Sequence, residues 1–208
     1  MALKEHFTFL SQTLKNFKHT GSVAPSSPYL AHEMAWPLRQ ARRKPWRVLE
    51  VGAGTGAFTR ALCKEMGKGD SLDCYELNGE FFGHLRESVE GFKGRTVRLH
   101  HKDIRELGGK ERFDLVVSGL PFNNFSPGLV DEIMAKLYAA LKPGATLVYF
   151  EYLFLRSARK NASLGKDRKR LAGIEEVLAR WHGKGKTRDE IVWLNLPPAL
   201  VRSLTKGG

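Results

Sequence analysis

The residues with the clearest chemical potential are three glycines within residues 47–62, which read RVLEVGAGTGAFTRAL. An apolar run typical of a buried strand precedes them, and a helical pattern begins at Ala57. Gly52, Gly54 and Gly56 leave room where a ligand must approach the backbone, and the following helix directs free N–H groups towards that ligand. The stretch therefore predicts a strand, a tight loop and a helix that together hold a ligand.

Two classes of ligand are compatible with this loop. Gly52, Gly54 and Ala57 fit the dinucleotide fingerprint GxGxxA, with Glu76 at the distance of a ribose-binding carboxylate. Glu50 lies at the end of the predicted strand, where a buried carboxylate needs a polar or cationic partner. With Glu50 included, the motif ExGxGxG resembles motif I of the class I S-adenosylmethionine-dependent methyltransferases, in which the acidic residue organises the site around the methionine moiety. We favour this resemblance over a dehydrogenase and over a fold that has lost its ligand.

The composition limits the class of protein. The chain has 208 residues and a formal net charge of +12, which allows one good core and favours a polyanionic partner, either nucleic acid or an anionic membrane surface. Cys63 and Cys74 are predicted to be reduced core thiols, and no metal site is predicted. The most apolar stretch, 146–155, is too short to span a bilayer, and the start lacks the features of a signal peptide, so a soluble or peripheral protein is expected.

Strand and helix patterns alternate along most of the chain. Further strands are predicted at 71–76, 96–100, 113–118 and 146–154, and helices at 57–66, 80–89, 128–141 and 167–181. This alternation predicts an α/β fold with a doubly wound, mostly parallel, Rossmann-like sheet. Two short segments, 190–194 and 199–204, predict an antiparallel C-terminal hairpin.

The N-terminal part is predicted to be an amphipathic helical extension. Between residues 2 and 18, apolar side chains recur at spacings of four and three on one helical face: Leu3, Phe7, Leu10, Leu14 and Phe17. Lysines flank this stripe, which fits either a helix packed on the domain or one lying in a membrane interface. With a second helix predicted at 30–42, residues 1–45 are expected to form a membrane-contacting cap and residues 46–208 the methyltransferase domain.

Further cofactor contacts are expected where predicted strands end. Glu76 ends the second strand, where a carboxylate accepts hydrogen bonds from ribose hydroxyls. Asp103 and Ile104 follow the third strand, at a position where the methyltransferases that the motif resembles recognise adenine. The resemblance also implies cofactor contacts at Leu77, Ser118 and Tyr29.

The loop after the fourth strand reads GLPFNNF at residues 119–125 and is expected beside the reactive methyl group. Its first four residues resemble the NLPY motif of rRNA adenine dimethyltransferases. The asparagine of that motif accepts a hydrogen bond from the base amine, whereas Gly119 has no side chain to offer. Methylation of adenine is therefore an alternative that the first position of the loop disfavours.

Longer motifs extend a resemblance over most of the chain. The segments GSVAPSS, LPFNNFSP, FEYLFLR and WLNLPPA are similar to those of bacterial phospholipid N-methyltransferases related to rRNA methylases. This resemblance implies successive methylation of phosphatidylethanolamine to phosphatidylcholine at the inner face of the cytoplasmic membrane. Ornithine-lipid N-methyltransferases have similar motifs and stay an alternative. An RNA-modifying or RNA-binding protein and a methyltransferase fold serving as a scaffold also stay open.

Methyl transfer to an amine is an in-line displacement that needs positioning and a neutral amine, but no nucleophilic side chain. The predicted proton acceptors are Glu151, Tyr152 and a backbone carbonyl of the loop at Leu120. Residues expected to contact the lipid or its cationic product are Phe122, Asn123, Phe125, Tyr149, Arg156 and Asn195. The expected partners are an anionic membrane surface and its lipid; nucleic acid and metal are not expected, and a monomer is favoured.

Overall fold

A computed structural model describes residues 26–42, 44–153 and 165–208, without the side chains of residues 166 and 167. The predicted helix at 2–18 and Arg156 therefore lie outside the described residues. Within the described ranges, no helix is both long and apolar enough to cross a bilayer.

The described ranges contain seven strands and five α-helices. The strands are β1 (Arg47–Val51), β2 (Ser71–Tyr75), β3 (Thr96–His100), β4 (Phe113–Ser118), β5 (Leu141–Tyr152), β6 (Gly185–Val192) and β7 (Ala199–Lys206). The helices are α1 (Pro28–Met34), α2 (Ala57–Glu65), α3 (Gly79–Val89), α4 (Pro127–Ala140) and α5 (Gly165–His182). Short 3₁₀ turns occupy Trp36–Arg39, Ile104–Glu106 and Phe122–Asn124.

The strands form one sheet in the order β3-β2-β1-β4-β5-β7-β6. β1 to β5 run parallel, and β7 is antiparallel to both β5 and β6. This arrangement confirms the predicted doubly wound sheet with its antiparallel C-terminal hairpin. The strand order reverses between β1 and β4, which is the place where open α/β sheets bind ligands.

Two apolar layers cover the sheet, because successive residues of a strand point to opposite faces. Leu49 and Val51 of β1 pack in the layer formed with α4 and α5, whereas Val48 packs in the layer formed with α1 and α2. Leu30 and Met34 of α1 are fully buried in the second layer, so α1 is fixed against the sheet. The division of the chain between residues 45 and 46 stays a prediction.

The two cysteines also lie in the second layer. Cys63 and Cys74 are buried free thiols, as predicted. Burial raises the pKa of both thiols, that of Cys63 to about 12. Both side chains therefore stay protonated and act as small apolar core residues.

Element boundaries differ from the predictions where proline or strand pairing intervenes. The helix predicted at 30–42 starts earlier, at Pro28 after the Ser27 cap, and gives way to a 3₁₀ turn because Pro37 has no N–H to donate. β5 starts at Leu141 rather than residue 146, because Leu141 already pairs with Phe113 ahead of a bulge. β6 starts earlier than predicted, at Gly185, because it pairs along the whole of β7.

Candidate active site

A cavity of about 320 Å³ opens at the switch point, where β1, β2 and β4 end. The predicted site residues in its wall are Gly52, Gly54, Glu76, Leu77, Asp103, Ile104, Leu120 and Phe125. The sequence did not single out other wall residues, among them Tyr75, Phe81 and Arg105. The cavity thus brings together six of the ten residues predicted to hold the cofactor, and these six come from three separate segments of the chain.

The glycine loop forms the floor of this cavity. The N–H groups of Gly52 and Ala53 donate to the Tyr75 carbonyl at 2.9 and 3.3 Å, which fixes the loop to the end of β2. A Cβ atom at Gly52 would lie 2.7 Å from Cδ2 of Leu120, whereas a Cβ atom at Gly54 would meet nothing within 4 Å. Gly54 therefore faces open space inside the cavity, as a backbone that contacts a ligand should.

Glu76 connects the glycine loop to the start of α3. Its Oε2 accepts a hydrogen bond from the Gly54 N–H and its Oε1 one from the Asn78 N–H, both at 2.7 Å. Burial raises the pKa of Glu76, although these backbone hydrogen bonds oppose the rise. A carboxylate offers about four acceptor positions, so acceptor capacity remains for a ribose.

Glu50 lies beneath the glycine loop and outside the cavity wall. Its Oε2 accepts hydrogen bonds from the Thr59 hydroxyl at 2.7 Å and the Cys74 thiol at 3.4 Å, while Oε1 has no hydrogen-bond partner among the described residues. Burial raises the pKa of Glu50 to about 7, against the lowering effect of both hydrogen bonds. The polar partners expected for Glu50 are thus the hydroxyl of Thr59 and the thiol of Cys74. A contact between Glu50 and the cofactor stays a prediction.

Asp103 and Ile104 form the opposite side of the cavity. Asp103 caps the following 3₁₀ turn through the Arg105 N–H at 2.9 Å and pairs with the Arg105 guanidinium at 2.6 Å. Burial acts to raise the pKa of Asp103, but the hydrogen bonds from Arg105 hold it below its ordinary value. An ionised carboxylate beside the buried Ile104 side chain matches the polar and apolar contacts that an adenine ring needs.

Gly56 and Ser118, both predicted to contact the cofactor, lie outside the described cavity wall. A side chain at Gly56 would collide with Ser88 of α3, so this glycine permits the close packing of two helices. The buried Ser118 hydroxyl accepts a long hydrogen bond, 3.4 Å, from the Leu120 N–H. Both residues support the walls of the site rather than forming them.

The loop that follows β4 is pressed against the glycine loop. The Gly119 N–H donates to the Val51 carbonyl at 2.8 Å, and a Cβ atom at Gly119 would lie 2.6 Å from the Gly52 carbonyl oxygen. Because that oxygen belongs to the backbone, no side chain fits at position 119 unless one of the loops moves. The glycine that departs from the adenine-methylase motif is therefore required by this packing.

The predicted lipid-contacting residues of the loop lie at different depths. Phe125 lines the cavity, whereas Phe122 is 1 % exposed and packs edge-on against the Tyr149 ring at 5.4 Å. The Tyr149 hydroxyl shares a hydrogen bond of 2.8 Å with Nε2 of His182, and Asn123 is also buried. Of these four predicted residues, Phe125 alone is in the cavity wall, and the others lie behind it.

Arg170 is a site residue that sequence reasoning missed. From α5, its Nη1 donates to the Asn123 carbonyl at 2.7 Å and the Phe125 carbonyl at 2.9 Å. Charged donors make strong hydrogen bonds, so Arg170 stabilises the conformation of the loop that ends at Phe125. In the sequence, Arg170 is one of a run of basic residues. Such a run does not show which of its side chains points into the protein.

We expect Arg170→Met to lower the free energy of unfolding by about 1.5 kcal/mol, because two carbonyls lose a charged donor. The loop would then be less well positioned, so the activity that the sequence predicts should fall several-fold while cofactor affinity changes little. Chemical denaturation and calorimetry measure the two effects. Lys169→Met removes a neighbouring exposed charge and serves as the control; equal effects of both variants would contradict the role of Arg170.

Glu151 and Tyr152, the two predicted proton acceptors with side chains, lie on opposite faces of β5. The buried Glu151 carboxylate pairs with the Arg202 guanidinium at 3.3 Å, and neither Glu151 nor Tyr152 is in the cavity wall. Tyr152 packs against Phe150 in the layer of α1, and burial raises its pKa despite a hydrogen bond with Ser26. The phenol therefore stays protonated at neutral pH, which makes it a poor acceptor for the amine proton.

Tyr29 lies at the start of α1, and Asn195 lies in the β6–β7 turn beside it. Neither residue is in the cavity wall. Asn195 is buried, and its Oδ1 accepts the Ser27 N–H at 2.9 Å while its Nδ2 donates to the Pro197 carbonyl at 2.7 Å. Both ends of the Asn195 amide are thus used to hold the β6–β7 turn against the start of α1. Tyr29 is 58 % exposed, so direct contacts of either residue with cofactor or lipid stay predictions.

The fold and the cavity together define a Rossmann-like α/β protein with a candidate ligand site at the switch point. Residues 48–144 match the family described as a methyltransferase domain. The chain is 30 % identical to the ornithine lipid N-methyltransferase of Singulisphaera acidiphila, over 69 % of this chain and 76 % of that protein. It is also 30 % identical to the malonyl-[acyl-carrier protein] O-methyltransferase of Priestia megaterium, over 49 % of this chain and 35 % of that protein.

Solved structures agree on the fold. The 1,6-didemethyltoxoflavin N1-methyltransferase of Burkholderia thailandensis, determined with S-adenosylhomocysteine, superposes with a TM-score of 0.68 at 17 % identity, covering 99 % of this chain and 90 % of that chain. A putative O-methyltransferase of Klebsiella pneumoniae superposes with a TM-score of 0.63 at 17 % identity, covering 100 % of this chain and 97 % of that chain. This chain belongs to the class I S-adenosylmethionine-dependent methyltransferases.

Proposed function

We propose that this chain transfers the methyl group of S-adenosylmethionine to the amine of a membrane lipid. The observation that carries the lipid class is the match to the Singulisphaera ornithine lipid N-methyltransferase, which extends over three quarters of that protein. Of the two lipids that the sequence resemblance left open, an ornithine lipid has the better support from this relative. Phosphatidylethanolamine, the lipid first expected, carries the same kind of primary amine and is the second substrate to test.

The cavity wall supports the orientation of the cofactor. Glu76 has acceptor capacity left for a ribose, and Asp103 with Ile104 fits the adenine. The open space above Gly54 would receive the part of the cofactor next to the ribose, which carries the sulfonium. The bound cofactor would supply an electrophilic methyl group, and Leu120 lines the same cavity.

The amine is proposed to bind at the Leu120 backbone. Among the three predicted proton acceptors, the loop at Leu120 lines the cavity, whereas Glu151 is paired with Arg202 and Tyr152 lies on the other face of β5. The Leu120 carbonyl already accepts the Phe122 N–H at 3.0 Å, and a carbonyl oxygen has a second lone pair for an amine N–H. This contact would orient the nitrogen for in-line attack while water takes the proton.

The same loop argues against adenine as the substrate. An adenine-methylase site needs an asparagine side chain at position 119, which the approach of the Gly52 carbonyl leaves no room for. An aliphatic amine needs fewer directional contacts than a base edge, so a backbone acceptor is sufficient for it. We further propose that the protein works at the cytoplasmic face of the membrane, where lipid amine and soluble cofactor meet.

Incubation with methyl-labelled cofactor tests the proposal directly. Four separate pools are used: vesicles with ornithine lipid, vesicles with phosphatidylethanolamine, vesicles without a lipid amine, and total RNA. We expect label in the ornithine lipid, less in phosphatidylethanolamine, and none in the other two pools.

A Gly54→Leu variant, which is expected not to bind the cofactor, gives the background level of labelling. Stronger labelling of phosphatidylethanolamine than of the ornithine lipid would make phosphatidylethanolamine the preferred substrate. Label in RNA, or in neither lipid, would contradict the proposed function.

A further inference from the structure

We infer that the turn between β6 and β7 is a membrane-contact surface that inserts Trp193, Leu194 and Leu196 into the headgroup region of a bilayer. The inference rests on the proposed lipid substrate, because that substrate requires the site to reach a bilayer. The three side chains are 67 %, 65 % and 76 % exposed. Five large apolar side chains are exposed in the described part of the chain, and four of them lie between residues 191 and 196. Such a concentration marks an interaction surface rather than scattered exposure.

The turn is built to present these side chains outward. Asn195, between Leu194 and Leu196, is 4 % exposed and fixed by the Ser27 N–H and the Pro197 carbonyl. A buried amide with both ends bonded holds the backbone of the turn in place, which keeps its apolar neighbours in solvent. The apolar exposure is therefore a property of a defined turn.

The turn lies on the same edge of the sheet as the cofactor cavity. Ala199, the first residue of β7, pairs with Tyr152, the last residue of β5. β5 runs parallel to β4, and β4 ends at Ser118 immediately before the loop that lines the cavity. A bilayer that contacts the turn is thus on the side from which a lipid headgroup can approach Leu120.

Two chain segments that join the described residues at this turn favour a bilayer as the partner. Residues 1–25 join at Ser26, next to the Ser27 that bonds Asn195. Residues 154–164 join at Leu153, whose N–H donates to the Pro198 carbonyl at 2.9 Å. Residues 154–164 contain Arg156, Arg159 and Lys160 and no acidic residue, and residues 1–25 contain the apolar stripe with its lysines.

This combination matches the chemistry of a membrane surface. Tryptophan and leucine side chains favour the boundary between headgroups and acyl chains. Arginine and lysine side chains, such as those in the sequence of residues 154–164, are attracted by the anionic lipids of the cytoplasmic leaflet. An anionic bilayer therefore satisfies the apolar turn and the adjoining basic segment together.

The test uses the full chain and vesicles of phosphatidylglycerol and phosphatidylethanolamine. We expect the triple variant Trp193→Ser, Leu194→Ser and Leu196→Ser to sediment with vesicles at least about 30-fold more weakly than wild type. The apolar control, with Trp193→Phe, Leu194→Met and Leu196→Met, should stay within about threefold of wild type. Spin-labelled lipids should quench the fluorescence of wild type, and Trp193→Phe should remove most of that quenching.

Turnover separates this inference from the proposed function. On a dispersed short-chain lipid amine, the triple serine variant should work like wild type, whereas on vesicles it should lose most of its rate. Vesicle binding that depends on Trp193 without methylation of any lipid would support the surface and remove the proposed substrate.

Three results would overturn the surface. They are unchanged vesicle binding by the triple serine variant, a dimer in sedimentation velocity that the variant abolishes, and a melting temperature lowered by more than about 5 °C in that variant. The last two would mean that protein, and not lipid, covers Trp193.

Discussion

Gly54→Leu should weaken S-adenosylmethionine binding by at least about 100-fold, close to 3 kcal/mol, and abolish methyl transfer. A Cβ atom at Gly54 points into space that is empty of protein within 4 Å, so the leucine side chain would fill the volume that the cofactor needs. The Gly54 N–H, which Glu76 accepts at 2.7 Å, would remain in place. Calorimetry with the cofactor measures the affinity, and a thermal melt shows whether the protein stays folded.

Gly94→Leu is the matched control for this variant. Gly94 has a φ of +91°, Gly54 has one of +58°, and neither has a neighbour within 4 Å of an added Cβ atom. Both substitutions therefore carry a left-handed backbone cost of about 1–2 kcal/mol, but Gly94 is not in the cavity wall. Loss of affinity in both variants would point to strain, and wild-type affinity in Gly54→Leu would place the cofactor elsewhere.

Glu50→Gln should change how stability depends on pH. The pKa of the Glu50 carboxyl is raised from 4.5 to about 7 in the folded protein, chiefly by burial. The folded state therefore binds the proton more tightly than the unfolded state, and wild type loses stability as pH rises from about 4.5 through about 7. Gln does not titrate, so the stability of the variant relative to wild type should rise by up to about 3 kcal/mol across that window.

Denaturant unfolding at pH 5 and pH 8, without cofactor, measures this difference. The comparison between the two pH values removes any constant cost of placing an amide at Glu50. Glu90→Gln, at an exposed side chain directly after α3, is the control for loss of a carboxylate. A constant difference between wild type and Glu50→Gln over this range would contradict a neutral Glu50 in the fold.

The fold class and eight residues of the cavity wall were predictable from the sequence alone. Strand and helix periodicities are local, so their alternation predicted the parallel sheet without knowledge of any long-range contact. Parallel strands end at one edge, and residues that follow different strands therefore meet there. This rule, together with the glycine motif and the methyltransferase resemblance, predicted that Gly54, Glu76 and Asp103 lie near one another, and all three line one cavity.

Contacts between distant segments were decided by the tertiary structure. The sequence predicted Glu151 and Tyr152 as proton acceptors. Arg202, which pairs with Glu151, and Ser26, which hydrogen-bonds Tyr152, lie far from them in the chain. The inward turn of Arg170 depends on how α5 packs on α4. Neither these contacts nor the orientation of Arg170 can be predicted from a local periodicity or a motif.

The loops show most clearly which features follow from the sequence and which depend on packing. The motif comparison singled out Gly119 because it lacks a side chain. The structure explains this glycine, because a Cβ atom at position 119 would lie 2.6 Å from a backbone carbonyl oxygen. The buried Asn195 and the exposed Trp193 come from one short segment, and the hydrogen bonds of Asn195 with Ser27 and Pro197 hold its side chain inward. A sequence specifies which side chains can be buried, but the packing of its elements decides which of them are.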